Sequence, residues 1–128
     1  MKFENLDVWK RACRLSCFIY KALKDCRDFG LRDQMTRAAV SIASNIAEGE
    51  KRETQAESAR FLYFAKGSTG ELVTQLYIAI EIGVVEKESG LLLIKEAKEI
   101  SAMIASLIKI RKGSVKEDAA DYNFKPRT

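Results

Sequence analysis

The chain has 128 residues, 47% of them apolar and 31% charged, enough for one domain with a real core and too apolar for a disordered chain. Seven glycines and a single proline, Pro126, supply too few turns for an all-β sandwich, and the absence of histidine excludes Ser-His-Asp and Cys-His catalysis, HExxH zinc sites and Glu-x-x-His di-iron bundles. A net charge of +4 and a pI of about 9.0 suit a polyanionic partner without requiring one.

Four amphipathic segments follow in order. The first is predicted from about Leu6 to Cys26. Leu6, Trp9, Cys13, Ser16, Tyr20 and Leu23 recur at 3-4-3-4-3 spacing and line one face. Val8, Ala12, Leu15, Ile19, Ala22 and Cys26 form an adjoining stripe, so the apolar arc is wider than packing on one neighbour requires. Asn5 is the expected N-cap, and Phe29-Gly30 the expected close. The second segment runs from about Leu31 to Glu48 and ends at Gly49. Its many small residues, among them Ala38, Ala39, Ser41, Ala43, Ser44 and Ala47, mark it as the innermost helix.

Thr54-Gln55-Ala56-Glu57 has the capping-box pattern and opens the third segment, which continues to about Ile82. Gly67 and Gly70 each cost the helix about 1 kcal/mol relative to alanine, which points to a close backbone crossing there, with a hinge as the alternative. Gly83-Val84-Val85 makes the turn into the fourth segment, about Lys87 to Arg111, where Leu93, Ala97, Ile100, Ile104 and Leu107 repeat at helical spacing. The apolar period stops after Gly113. The expected architecture is all-α, an antiparallel up-down four-helix bundle over residues 1–112, with residues 113–128 a mobile tail.

Cys13, Cys17 and Cys26 are an odd set on one predicted helix, expected as buried thiols in a reducing compartment. Met1-Lys2-Phe3-Glu4-Asn5 does not begin a signal peptide, and no apolar run approaches the ~20 residues of a membrane span. The expected setting is cytoplasmic, with no membrane contact.

Two clusters invite a functional reading. Lys10, Arg11, Arg14, Lys21 and Lys24 are the candidate nucleic-acid-binding residues: Lys10, Arg14, Lys21 and Lys24 share an arc opposite the apolar stripe, the array that phosphate groups need. The plainer alternative is a solvated helix face, since no aromatic residue alternates with these cations to stack on bases. Asn45 falls on the core side and needs partners; with Ser68 and Glu71 it is expected to form a structural polar core, Ser44 and Thr74 being further donors. No catalytic residue, metal ligand or cofactor site is expected, because no nucleophile-base pair or glycine-rich phosphate loop is present. The aromatic set Trp9, Tyr20, Phe61, Tyr63, Phe64 and Tyr77 is expected mainly in the core. The apolar surplus on the first and third segments points to a partner chain, with self-association the expected form.

Leu6-Asp7-Val8-Trp9-Lys10, Arg37-Ala38-Ala39-Val40-Ser41-Ile42, Ser44-Asn45-Ile46-Ala47-Glu48-Gly49, Gly67-Ser68, Glu71-Leu72 and Thr74-Gln75-Leu76 together resemble one family across residues 3–112. It is the bacterial four-helix bundle proteins encoded in intervening sequences of 23S ribosomal RNA genes. The resemblance implies an antiparallel bundle without enzymatic activity that assembles into a ring, a pentamer. The accessory protein of diversity-generating retroelements looks like a relative, and there the bundle binds nucleic acid and a reverse transcriptase. Two positions depart from the pattern: Ala43 stands where the family usually carries proline, and Glu86 where a Ser-type cap is usual. The resulting expectation is an oligomer binding RNA or DNA through basic helix faces, with a protein adaptor or scaffold that docks a polymerase or other partner as the alternative.

Overall fold

The computed structural model describes residues 2–122, with side chains through Gly113. A short 3₁₀ turn at Phe3–Asn5 leads into α1 (Asp7–Ala22), α2 (Phe29–Lys51), α3 (Gln55–Glu81) and α4 (Lys87–Tyr122). Each helix packs on its chain neighbours and α4 closes back on α1, while the backbones of the diagonal pairs α1/α3 and α2/α4 stay apart. This is the up-down four-helix arrangement expected from the apolar periods. No helix is innermost, α2 included.

The core runs down the shared axis. Leu15, Ile19 and Leu23 of the first segment, Met35, Ile42 and Ile46 of α2, Leu62, Leu72 and Leu76 of α3, and Ile100 and Ile104 of α4 are all fully buried. Burying such a side chain contributes about 1.5–3 kcal/mol. Of the two stripes on α1, the all-aliphatic one (Val8, Ala12, Leu15, Ile19) faces this axis, joined by Ser16 and Leu23. Ser16 lies in the core because its hydroxyl donates to the Ala12 carbonyl at 3.1 Å.

Several helix ends differ from expectation. Leu6, not Asn5, occupies the N-cap of α1, and no side chain caps that end. The first helix stops at Ala22, with Leu23 N–H bonding Ile19 O, and Phe29-Gly30 begins α2 instead of closing α1. Asp28 supplies the cap of α2 by accepting from Leu31 N–H at 3.0 Å. Gly49 does not end α2, which continues through Lys51. It is buried against α3, where a Cβ would lie 3.1 Å from the Ser58 carbonyl oxygen. The helix also runs unbroken through Ala43.

The third helix opens as expected, Thr54 Oγ1 accepting from Glu57 N–H at 3.1 Å. Its end is a Schellman closure: Gly83 takes φ +79°, its N–H bonds Ile80 O, and Val84 N–H reaches Ala79 O at 2.9 Å. Gly67 and Gly70 do not mark a crossing. Both are exposed on the outer face of α3, with nothing within 4 Å of where a Cβ would stand. The fourth helix starts with Glu86 O accepting from Gly90 N–H at 2.8 Å and continues past Arg111, where its end was expected, to Tyr122. The expected mobility of residues 113–128 falls mostly outside the residues whose side chains are described.

Candidate nucleic-acid interface

Because Val8, Ala12, Leu15 and Ile19 turn inward, helical periodicity places Lys10, Arg14 and Lys21 on the opposite side of α1, around the exposed Cys17, and Lys24 follows in the turn after the helix. Lys10, Arg14, Lys21 and Lys24 are exposed, and among the described residues none of them is in a salt bridge. The cations therefore stand in water outside any ion pair among the described residues, Arg14 near enough to Glu96 for its charge to act there, and their charge is open to an anion.

Arg11 is placed differently. It sits toward α4, half-buried, with Nε donating to Glu96 Oε2 at 2.9 Å and Nη2 to Glu99 Oε1 at 2.7 Å. Its Nη1 also approaches Met103 Sδ at 3.5 Å. The Arg11 hydrogen bonds hold the Glu96 carboxyl below its usual range, helped by the charges of Arg11 and Arg14 and opposed by burial. Arg11 thus ties α1 to α4 and is not part of the free cation row.

The aromatic residues are not in the core. Trp9 and Phe61 are half-buried, while Tyr20 (56%), Tyr63, Phe64 and Tyr77 are exposed. On α1, the stripe carrying Trp9, Cys13 and Tyr20 borders α2 and runs beside the cations. Phe18 flanks them on the other side, with Lys21 Nζ 5.8 Å from its ring centre. Between α1 and α2 lie two depressions that meet at Val40. One of about 430 Å³ is lined by Tyr20, Asp33, Thr36 and Arg37. The other, about 400 Å³, is lined by Phe3, Trp9, Cys13 and Ala47. Phe3 packs edge-on to Trp9 at 5.2 Å. The missed signal was the composition of the two stripes: Trp9 and Tyr20, each with an apolar body and a polar tip, belong at a wet border, not at the axis.

The expected polar core is only partly assembled. Asn45 Nδ2 donates to the Ser41 carbonyl and to Ser41 Oγ, each at 2.9 Å, and Ser41 Oγ bonds Ser68 Oγ at 2.9 Å. Asn45 and Ser68 are thus joined across the α2–α3 seam through Ser41, a residue one turn before Asn45 that the sequence reading did not place there. Glu71 is exposed on α3 and outside this group. Ser44 and Thr74 are exposed too, Thr74 donating to Gly70 O. Near the base of the seam Glu48 pairs with Arg52 at 2.7 Å, and the buried Glu50 carboxylate pairs with Arg111.

The cysteines are free, Cys13 and Cys26 half-buried and Cys17 exposed, so the expectation of three buried thiols does not hold. Burial, and then the neighbouring Cys17, push the Cys13 thiol above its usual range. Among the described residues, no helix is long and apolar enough to cross a membrane.

The family model for 23S rRNA-intervening sequence proteins matches residues 4–106. No curated protein matches the chain in sequence. Among solved structures, the fold is similar to the crystal structure of a protein with unknown function from the S23 ribosomal protein family of Bacteroides thetaiotaomicron VPI-5482. The TM-score is 0.75 at 24% identity, covering 80% of this chain and 98% of that one. With a family model spanning all four helices, the chain belongs to the 23S rRNA-intervening sequence protein family.

Proposed function

We propose that this protein is a non-enzymatic, self-associating bundle that binds RNA or DNA through α1. The observation that carries this reading is the row Lys10, Arg14, Lys21 and Lys24, exposed and without acidic partners among the described residues. Each phosphate that such a cation neutralises releases condensed counterions, so affinity falls steeply with salt. Self-association is supported by apolar residues on the outer faces: Tyr63, Phe64, Tyr77 and Ile78 of α3, and Leu91 and Leu92 of α4. A ring, which the family resemblance implies as a pentamer, gathers several cation rows into one field. The chain's lack of histidine removes the Ser-His-Asp and Cys-His routes to catalysis.

Titration of the full chain with labelled RNA and DNA across a salt series tests the reading, alongside light scattering for the assembly state. Binding that weakens log-linearly with salt, by a particle larger than 14.4 kDa, is the expected result. No binding at low salt would refute it. The outer α3–α4 face also supports a second reading, a scaffold that docks a polymerase or other protein. Capture of one defined protein that survives nuclease and high salt would favour that reading.

A further inference from the structure

We infer that the α1–α2 face takes single-stranded nucleic acid: phosphates lie along Lys10, Arg14, Lys21 and Lys24, and unpaired bases stack on Tyr20 and Trp9 beside them. The inference rests on the nucleic-acid reading above and narrows it to one class of ligand. Two parallel lines on α1 carry it. The cations form one line on the open side, and Trp9 and Tyr20 form the other on the α2 side. Aromatic rings reward only bases whose π-faces are free, whereas a duplex hides those faces inside its own stack.

The spacing fits a short strand. Trp9 and Tyr20 are eleven residues apart, roughly 16 Å at 1.5 Å per residue, the reach of a few nucleotides. Each ring borders one of the two depressions between α1 and α2, about 400 and 430 Å³, so a base laid on it has room beside the helix. The Tyr20 depression adds polar edges. The Asp33 carboxylate can accept from an exocyclic amino group, and the Arg37 guanidinium can donate to a ring nitrogen or carbonyl. Asp33 repels phosphate, which keeps the backbone on the cation side of the ring. For duplex readout through a groove, base-edge readers such as Asn, Gln or Arg should lie on the helix itself. The exposed side of α1 offers one such reader, Arg14, with Lys10, Lys21, Cys17 and Asp7, and Lys24 follows in the turn, a set weighted toward backbone contacts.

The single tryptophan of the chain is Trp9, so intrinsic fluorescence reports directly on one of the two platforms. The experiment compares a mixed-sequence oligonucleotide of ~12 nucleotides, as RNA and as DNA, with the matching duplex, reading anisotropy and Trp9 quenching together. Single strands should bind more tightly than duplex and quench Trp9 in step with the anisotropy. Tyr20→Ala should weaken single-strand binding roughly 10-fold and leave the duplex unchanged, while Tyr20→Phe keeps the wild-type affinity. Lys21→Gln should weaken both ligands and lower the single-strand salt slope by about 0.7. Because Tyr20 is half in solvent, circular dichroism should show the variants folded as the parent. Tighter duplex binding, or Tyr20→Ala without effect while Lys21→Gln still weakens binding, would overturn the single-strand assignment and leave the nucleic-acid reading standing. Failure of every oligonucleotide to bind at low salt would remove both.

Discussion

The α2–α3 seam and the α1–α4 seam differ in how they are closed. Along α2–α3 the backbones approach closely at the buried Gly49, and hydrogen bonds through Ser41 join Asn45 to Ser68 across the helices. Along α1–α4 the approach is looser. A depression of about 300 Å³ lined by Leu6, Val8, Met103 and Leu107 remains open, and Arg11 spans the gap to Glu96 and Glu99. Steric fit holds the first seam and charge the second. Of the stretch Ser44–Gly49, Asn45 and Gly49 lie on the steric seam, where hydrogen bonding and close packing account for them, while Ser44 and Ala47 border α1. The helix that carries the exposed cations is the one on the looser seam.

The largest expected effect breaks the steric seam. A Cβ at Gly49 would sit 3.1 Å from the Ser58 carbonyl and 3.5 Å from Leu62 Cγ, and the carbonyl belongs to backbone that cannot swing away. Gly49→Val should destabilise the protein by about 3 kcal/mol, read as a lower midpoint in urea unfolding. A loss below ~0.5 kcal/mol would show that α2 and α3 are free to separate, and the contrast between the seams would fail.

The charged seam should respond less, and to pH. Arg11→Met should cost about 1–2 kcal/mol near neutral pH, since it removes charge-assisted hydrogen bonds that are partly open to water. The Glu96 carboxyl is depressed from its ordinary 4.5 in the folded protein, so its stabilisation is present above that value. It is lost as pH falls through the lower folded value. Thermal midpoints from pH 7 down to about 3 should therefore fall more in the parent than in Arg11→Met, and parallel curves would remove Arg11 from its role as the tie.

These two seams also show what was legible beforehand. The four helices could be read because each buries one stripe at a 3.6-residue period, and Thr54 and Gly83 because a capping box and a left-handed glycine are local signals. Gly30 and Gly49 were misread because glycine at a helix close, at a helix start and at a close approach looks alike in one dimension. On α1 the two stripes were both visible, but which one faces the axis depends on how the helix is rotated against α2 and α4. The rotation of α2 and α3 against each other likewise decides that Ser41 meets Ser68 and that Glu71 is exposed. For the candidate interface, the cations were legible one by one. Arg11's loss to Glu96 required α4 in place, and the depression beside Tyr20 required α2.

The smallest expected effect has the opposite sign and sharpens the comparison by using a glycine that belongs to no seam. Gly70 is exposed on α3, and nothing lies within 4 Å of its would-be Cβ, so alanine there meets no neighbour. Its replacement removes backbone freedom from the unfolded chain and adds a better helix former, which should stabilise by about 0.5–1 kcal/mol. Urea unfolding of Gly70→Ala at low protein concentration measures this against Gly49→Val in the same helical hairpin. If Gly70→Ala destabilises instead, and increasingly so at higher concentration, the outer face of α3 is covered by another copy of the chain. Its glycines would then serve an intermolecular seam built on the same steric principle as α2–α3.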